Sequence, residues 1–345
     1  MHDRPVRHPT IKDVALVAGV SPSTVGRVIG GYGYTSAESQ QRVLAAMRQL
    51  GYEPNAVARS LKSKRTRTIG YLLPRVTNPF FAQIAEGLQD VASAHGYSVI
   101  LCSTDMKMER TSEFGRVLLE HRVDGIVLSL PGDDSVFKLA ASFTDRGLPV
   151  VVCHGSRRIH GVDRVISDHM HGGYLAAKHL INMGHERIGV LAVKGSTTSS
   201  LILDGCRKAL KDAGVDFPAQ LTVEIASFSE DAGCSGARVL LMRGCDPTAI
   251  IASNDLIALG ALGVLEEAGL NVPADMSVIG FDNTFAAHTR PRLTTIGIST
   301  YQAGLIAAQL LLDRIEDNYR GEAREVVLPV ELVVRGSVAP PRRGS

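Results

Sequence analysis

Apolar residues near the amino terminus recur at the three- and four-residue spacing of helices that bury one face. Thr10 and Asp13 approximate a capping box before the first such stretch, and Gly19 follows its last apolar residue. Ser21 and Pro22 then open a second helix. The positions predicted to face inward are Ile11, Val14, Ala15 and Ala18 in the first helix, Val25, Val28 and Ile29 in the second, and Val43, Leu44, Met47 and Leu50 in a third helix that begins near Ser36.

Two short helices joined by a glycine-containing turn and braced by a third are typical of the helix-turn-helix, although a plain three-helix bundle is an alternative. The second helix has a small, polar outer face, formed by Ser23, Gly26 and Arg27, that would let its backbone lie close to the floor of a DNA major groove. Ser21 and Thr24 can donate hydrogen bonds to phosphates, and Arg27 is long enough to reach a guanine edge. The pattern therefore favours DNA recognition by the second helix.

A short basic segment at positions 54–68 follows the third helix. Asn55 can cap a helix of two turns in which Val57 and Leu61 lie four residues apart. So short a helix is marginal alone in water, where roughly 12–15 residues are needed. The segment is therefore either a flexible basic linker or a helix that folds only against DNA, with Leu61 exposed for insertion.

From residue 68 onward, apolar runs typical of buried parallel strands alternate with helical stretches. This βαβ pattern occurs twice, which predicts an α/β core of two doubly wound lobes with parallel sheets. The predicted strands are 68–74, 98–104, 124–130, 149–153, 187–193, 248–253 and 277–282, with helices near 80–95, 109–121 and 134–146. A long helix near 299–318 and a final strand near 325–334 close the core.

Polar and aromatic residues follow several predicted strands, at the carboxyl edge where sheets of this kind bind their ligands. These residues are Asn78, Phe80 and Phe81 after the first strand, Ser129 in the third, Asn254 after "TAIIAS" and Asp282 at the end of "SVIGFD". An aromatic platform beside amide and carboxylate groups suits a small polyhydroxylated ligand. Asn and Asp at strand ends also commonly cap the next helix, so each residue alone is compatible with a structural role.

The charge is divided unevenly along the chain. Residues 1–67 hold 11 basic and four acidic side chains, whereas the remaining 278 residues hold 26 and 31. A basic head on a slightly acidic body predicts a polyanion partner for the head alone.

Composition indicates the cellular setting. The apolar fraction of 45% is ordinary for a chain with a buried core, and no apolar run approaches the length of about 18 residues expected of a membrane span. The amino terminus has no apolar stretch typical of a secretory signal. Five cysteines without a CxxC pair are typical of reduced thiols, so a cytoplasmic protein without membrane contact is predicted.

Motifs for catalysis and cofactor binding are missing. The sequence has no GxxxxGK[ST] and no GxGxxG between a strand and a helix, and "GCSGA" at 233–237 lacks the second glycine of GxSxG. His169 and His171 lie near His154 and Cys153 in the sequence, but two histidines two residues apart do not share a helical face. We therefore predict no enzyme, no cofactor and no metal site.

Seven stretches are characteristic in combination: "TIKDVALVAGVSPSTVGRV", "RVLAAMRQLGYEPNAVARSLKSKRTRTIG", "TNPFF", "RVDGIVLS", "ASNDLIALGAL", "SVIGFDNT" and "RLTTI". Together they resemble the lactose-repressor (LacI/GalR) family of bacterial transcription regulators over essentially the whole chain. The resemblance implies a helix-turn-helix head on a two-lobed core like that of periplasmic binding proteins. It also implies a cytoplasmic homodimer that binds a pseudopalindromic double-stranded DNA operator and a carbohydrate-like effector. Such a regulator would be a repressor, with a transcriptional activator as an alternative. A solute-binding protein of the same core fold is the alternative, but such a protein has no use for a basic head.

The resemblance further implies roles for individual positions. Base edges would be read by Pro22, Ser23 and Arg27. The DNA backbone would be contacted by Ser21 and Thr24, and Thr10 is also assigned to DNA binding. A hinge helix would be formed by Asn55–Ser63, with Ala58 and Leu61 in the minor groove. The effector would be bound by Asn254, Asp282, the Asn78–Phe81 loop and Ser129. The implied domains are a head at 1–53, a hinge and linker at 54–67 and a core at 68–340, with one lobe formed by about 68–166 and 299–325 and the other by about 167–298 and 326–340.

Four positions depart from the residues usual in the family. Gly26 and Gly30 replace serine and asparagine in the second helix and at its end, and an interior glycine costs about 1 kcal/mol of helix stability. Ile202 stands where many members place an effector-binding arginine, and Ile298 stands where many place glutamine. We therefore expect a neutral or weakly polar effector with an apolar face stacked on an aromatic ring. The tail "VAPPRRGS" lacks apolar heptads, which favours a dimer over a tetramer held by a coiled coil.

Overall fold

The computed structural model describes residues 9–30, 33–52, 65–130, 134–154 and 158–342. The chain forms two compact units, residues 1–67 and residues 68–345. The predicted hinge helix, with Asn55, Ala58 and Leu61, lies outside the described residues. None of the described helices is both long enough and apolar enough to cross a bilayer.

The amino-terminal unit contains the helices α1 (Ile11–Ala18), α2 (Pro22–Gly30) and α3 (Ala37–Leu50). The side chains and backbones of Thr10 and Asp13 form the predicted capping box at the start of α1. Gly19 ends α1 at φ 63°, a left-handed conformation that favours glycine. The sequence signals at both ends of α1 are thus confirmed.

The core of this unit is small and apolar. Val14, Val25 and Val43, one from each helix, are fully buried. The prediction that Leu44 faces inward is wrong, because 43% of this residue is exposed. Val43 and Ala46 occupy the buried face of α3, and Leu44 lies about 100° around the helix from Val43.

The second unit begins with a lobe built on a parallel sheet. Its elements are β1 (Thr68–Leu73), α4 (Pro79–Ala94), β2 (Ser98–Ser103), α5 (Met108–Glu120), β3 (Gly125–Leu128), α6 (Asp134–Thr144), β4 (Val150–Cys153) and β5 (Asp163–Ser167). Strand β1 pairs in parallel with both β2 and β3. It is almost entirely buried, since apolar clusters lie on both faces of the sheet.

A second lobe follows directly and repeats the alternation of strands and helices. Its elements are α7 (His169–Asn182), β6 (Ile188–Val193), α8 (Thr197–Asp212), β7 (Thr222–Ile225), α9 (Glu230–Met242), β8 (Ala249–Ala252), α10 (Asp255–Glu267), β9 (Ser277–Asp282) and β10 (Thr294–Ile298). The predicted strand 277–282 coincides with β9, whereas β7 and β10 were not predicted, and neither was β5 of the first lobe.

The last part of the chain returns to both lobes through α11 (Thr300–Ile315), β11 (Glu325–Leu328) and β12 (Val330–Val333). The first sheet has the order β11-β5-β4-β3-β1-β2, and the second has the order β12-β10-β9-β8-β6-β7. The prediction of one final strand is wrong, because Pro329 has no N–H to continue a ladder and separates two strands that belong to different sheets. Strand β12 is antiparallel to β10, and the other described pairings are parallel, which confirms the doubly wound α/β class. Strand β11 belongs to the first lobe and ends at Leu328, so this lobe extends three residues beyond its predicted boundary at 325.

Pairs of neighbouring helices in the core approach each other at glycines. Gly173 in α7 packs against the backbone of Ile202 in α8, and Gly205 in α8 packs against the backbone of Met170 in α7. A Cβ atom at either glycine would overlap a carbonyl oxygen of the other helix. The same reciprocal contact occurs in two further pairs, formed by Gly87 and Gly304 in α4 and α11 and by Gly233 and Gly260 in α9 and α10.

A buried carboxylate fastens the returning chain to the first lobe. Asp163, which is 1% exposed, accepts hydrogen bonds from the guanidinium groups of Arg314 and Arg324 at 2.8 to 3.3 Å. Arg324 also donates to Asp313 at 2.7 Å. Burial raises the pKa of Asp163, but the hydrogen bonds from both arginines outweigh it, and the net shift of the pKa is downward.

Candidate functional site

The amino-terminal end of α2 presents a cluster of hydroxyl groups. The Ser21 hydroxyl accepts a hydrogen bond from the Thr24 backbone N–H at 3.1 Å, so it caps the helix. It also lies 2.7 Å from the Ser23 hydroxyl and 2.9 Å from the Thr24 hydroxyl. Ser21, Pro22 and Ser23 are exposed. A helix start with free N–H groups and hydroxyls is a ready site for a phosphate oxygen.

Arg27 lies one turn further along α2 and is partly exposed. Its Nη1 donates a long hydrogen bond of 3.5 Å to the carbonyl oxygen of Tyr34, a residue that is 89% exposed. Gly26 lies inside α2, which continues to Gly30, so neither glycine ends the helix early. Thr10 sits at the start of α1, where its hydroxyl donates to the Asp13 carboxylate at 2.7 Å.

A cavity of about 920 Å³ lies between the two lobes, at the carboxyl ends of their parallel strands. All six residues predicted to bind an effector line it, namely Asn78, Phe80, Phe81, Ser129, Asn254 and Asp282. Such a volume suits a small organic molecule. Their contact with an effector stays a prediction, but the fold brings all six together.

Several of these residues also hold the protein's own structure. The Asn78 Oδ1 accepts from the Phe80 N–H at 3.0 Å and caps α4, and the Asn254 Oδ1 accepts from the Ile257 N–H at 2.8 Å and caps α10. The Ser129 hydroxyl donates to the Cys153 carbonyl at 2.6 Å and accepts from the Tyr71 hydroxyl at 3.0 Å. The capping role that was the alternative for the two asparagines is therefore present, and it engages the Oδ1 atom of each side chain.

Asp282 ends β9 in a conformation unusual for a residue with a side chain. Its φ is 98°, and Asn283 follows at φ 59°. The Asp282 side chain is half-buried and lines the cavity. Burial, and then repulsion by the neighbouring Asp255 carboxylate, raise the pKa of Asp282 well above its ordinary value.

Sequence reasoning missed His154, which lines the same cavity at the end of β4. Its ring lies edge to face against Phe80, with centroids 4.4 Å apart, and 5.2 Å from the ring of His169. Burial, and then repulsion from His169, lower the pKa of His154 to about 3. The rule that selected residues after the other strands would also have selected His154 after "PVVVC".

The expectation that Ile202 stands in the effector-binding site is wrong. Ile202 does not line the cavity, because it is fully buried where α7 and α8 cross. Arg75 and Arg243 do line the cavity, so two basic residues belong to its wall despite the isoleucine. Within the described parts of the chain, no three His, Cys, Asp or Glu side chains are grouped to hold a metal ion.

The chain is similar to known regulators over nearly its whole length. Residues 10–55 match bacterial regulatory proteins of the lacI family, and residues 177–338 match the periplasmic binding protein-like domain. The HTH-type transcriptional repressor PurR of Photobacterium profundum is 37% identical over 95% of this chain and 98% of its own length. The HTH-type transcriptional regulator DegA of Bacillus subtilis is 36% identical over 96% of this chain and 98% of its own length.

Two solved structures extend the comparison to the fold. The Lac repressor dimer bound to operator and the anti-inducer ONPF superposes with a TM-score of 0.85 at 30% identity, over 96% of this chain and 100% of that chain. The complex of the transcriptional regulator CelR with cellobiose superposes with a TM-score of 0.73 at 33% identity, over 95% of this chain and 99% of that chain.

Proposed function

We propose, from the premise that this chain belongs to the lacI family of DNA-binding transcriptional regulators, that it is a repressor whose affinity for its operator is set by a small molecule bound between the two lobes. One observation carries the proposal. An exposed, hydroxyl-lined recognition helix and a ligand-sized cavity lie in two separate compact units of one chain. A solute-binding protein would have no use for the first unit.

The DNA contacts are assigned to the amino-terminal unit. Thr10, Ser21 and Thr24 would bind phosphates, which agrees with their hydroxyl-bearing side chains at the starts of α1 and α2. Pro22, Ser23 and Arg27 would face base edges in the major groove. Asn55, Ala58 and Leu61 would enter the minor groove; these three positions lie outside the described residues.

The effector site is assigned to the cavity. Phe80 and Phe81 would pack against an apolar face of a carbohydrate-like molecule, as aromatic side chains in concave sites commonly do. The free amide nitrogens of Asn78 and Asn254 and the carboxylate of Asp282 would bind its polar groups, with Ser129 behind them. Closure of the lobes around the ligand would alter the pairing of the hinge segments, a coupling typically worth about 1–3 kcal/mol.

The assembly that fits this role is a cytoplasmic homodimer without enzymatic activity. Two copies of the head would read the two halves of a pseudopalindrome, since operator symmetry mirrors the two-fold symmetry of a dimer. The relatives named above are transcriptional regulators, which supports a binding function rather than catalysis.

Selection of genomic DNA fragments by the full-length protein tests the proposed function. We expect a pseudopalindromic site whose affinity falls steeply with salt, because Lys and Arg contacts release counterions from DNA. The matched control is a chain that starts at Thr68, since residues 68–345 form a compact unit of their own. It should bind no operator, and specific binding by this shortened chain would contradict the assignment of DNA contacts to the head.

A further inference from the structure

Asp282 lines the cavity, and its nearest acidic neighbour is the Asp255 carboxyl group, which does not line it. Asp282 faces the cavity, and no donor among the described residues forms a hydrogen bond with its side chain. Behind it, Asp255 is 1% exposed and accepts from the Thr295 hydroxyl at 2.7 Å and the Thr284 N–H at 2.7 Å. Asp255 is therefore well satisfied by neutral donors, although burial still raises its pKa. Asp282 has this second carboxyl group as its neighbour and no hydrogen-bond donor within the described ranges.

A half-buried carboxyl group in this situation is relieved either by taking up a proton, the direction in which its pKa is shifted, or by a cation that holds it ionised. An unpaired charge in a low-dielectric site is costly, and a second carboxylate beside it adds repulsion. A cationic ligand group would relieve both effects at once. A neutral hydroxyl would supply a hydrogen bond but would leave the repulsion between Asp282 and Asp255 in place.

The opposite wall of the cavity is also suited to a cation. Phe80, Phe81 and His154 form a wall of three rings, with the Phe80 and Phe81 centroids 5.1 Å apart. The faces of aromatic rings attract ammonium and guanidinium groups. Burial and His169 keep the His154 ring uncharged at neutral pH, so it would accept a hydrogen bond from a cation and would not repel it.

The basic side chains at the cavity do not cancel its preference for a cation. Arg243 is engaged by the backbone, since its Nη1 donates to the Gln220 carbonyl at 2.9 Å and to the Thr222 carbonyl at 2.7 Å. Arg75 is exposed, so solvent screens its charge. Glu224 and Asp231 also line the cavity, and solvent screens these two exposed carboxylates in the same way, so Asp282 is the acidic group on which the inference depends.

We propose that the effector carries a protonated amine, held at the Asp282 carboxylate and against the ring wall of Phe80, Phe81 and His154. This inference rests on the proposed function, because it names the class of molecule that the cavity takes. It differs from the expectation of a neutral effector, which was based on Ile202 and Ile298, neither of which lines the cavity.

Matched pairs of molecules that differ only in one or two amines provide the probes. They are D-glucosamine with D-glucose, D-galactosamine with D-galactose, and putrescine with 1,4-butanediol. Thermal shifts of the full-length protein identify the pairs that bind, and calorimetry then measures the two affinities, in phosphate buffer without Tris and at constant ionic strength. We expect at least one amine to bind roughly tenfold to hundredfold more tightly than its neutral partner, the range for a charge-assisted hydrogen bond.

The Asp282→Asn variant removes the charge and keeps the shape. Asparagine tolerates positive φ better than most residues, so the backbone at φ 98° should be retained. This variant should lose the preference for the amine and keep the affinity for the neutral partner. The matched control is Asp212→Asn, at the exposed end of α8 and outside the cavity lining, which should keep the preference.

Three results would overturn the inference: equal or tighter binding of the neutral members, a preference for the amine that survives in Asp282→Asn, or no stabilisation by any amine of the panel. Operator binding by the unliganded wild type and by Asp282→Asn is measured in parallel. Specific operator binding by the wild type, with or without a probe molecule, together with any of these three results would refute the amine alone. Absence of specific binding to every genomic fragment, both with and without the probe molecules, would refute the proposed function itself.

Discussion

Replacing Gly205 with alanine tests how closely α7 and α8 approach each other. Alanine favours a helix over glycine by about 1 kcal/mol, so propensity alone predicts a more stable protein. The new Cβ, however, would overlap the Met170 carbonyl oxygen and lie 2.7 Å from the Tyr174 nitrogen. Both contacts are with backbone, and no side chain can rotate to relieve them.

The steric cost should outweigh the gain in propensity. Ordinary contacts between carbon and other heavy atoms lie near 3.5–4.0 Å, so the helices would have to separate by about 1 Å. Their separation would loosen the packing of Ile202 and Cys206, which are fully buried at this crossing. Overpacking of this kind costs about 1–3 kcal/mol, and we expect Gly205→Ala to lower the melting temperature by about 2–4 °C for each kcal/mol lost.

Gly263→Ala is the matched control for this experiment. Gly263 lies in α10, and a Cβ built there meets nothing within 4 Å. This substitution should therefore raise the melting temperature, by the propensity gain of up to about 1 kcal/mol. A Gly205→Ala protein as stable as the wild type, measured by thermal and urea unfolding, would refute the close approach of the two helices.

Three further predictions concern DNA reading and stability. Arg27→Ala should relax sequence preference at one position of each half-site by about 1–3 kcal/mol in competition binding, and equal weakening on all sequences would make Arg27 a phosphate contact. Leu61→Ala should lower operator affinity and leave effector affinity unchanged, because an inserted apolar side chain acts on the DNA alone; unchanged operator affinity would place Leu61 in ordinary packing. Asp163→Asn should lower the free energy of unfolding by about 3 kcal/mol at neutral pH, since it breaks a buried ion pair. The folded-state pKa of Asp163 is depressed, so the stabilisation by this carboxylate is present above the unfolded pKa of about 3.9 and is lost as the pH falls through the folded-state pKa. If the difference in free energy of unfolding between variant and wild type did not shrink in acid, this account would be contradicted.

Local signals predicted most of the fold because they act over a few residues. The capping box at Thr10 and the glycine at position 19 fixed the limits of α1, and the uninterrupted apolar run of β9 fixed its limits. Strand β5 was missed because Asp163 and Arg164 make it look polar, although tertiary ion pairs bury both. A partner distant in sequence cannot be recognised from the strand itself.

The cavity was predicted by the rule that ligands bind at the carboxyl ends of parallel strands. That rule brought Asn78, Asn254 and Asp282 together correctly. The end of β4 follows the same rule, and His154 there also lines the cavity, although it was not among the predicted residues. Ile202 was misplaced because correspondence of position does not give the direction of a side chain, and here an isoleucine is buried at a helix crossing.

The single residue between β11 and β12 has a consequence for how the protein is made. Pro329 separates the strand that borders the first sheet from the strand that borders the second. During synthesis, neither lobe can acquire its last strand until the ribosome has passed residue 328, and both then become complete within a few residues of each other. A message cut short before codon 325 would therefore leave two unfinished lobes with exposed sheet edges, and not one sound lobe beside one missing lobe. Such products would expose unpaired strand edges in both lobes and would therefore be prone to aggregation.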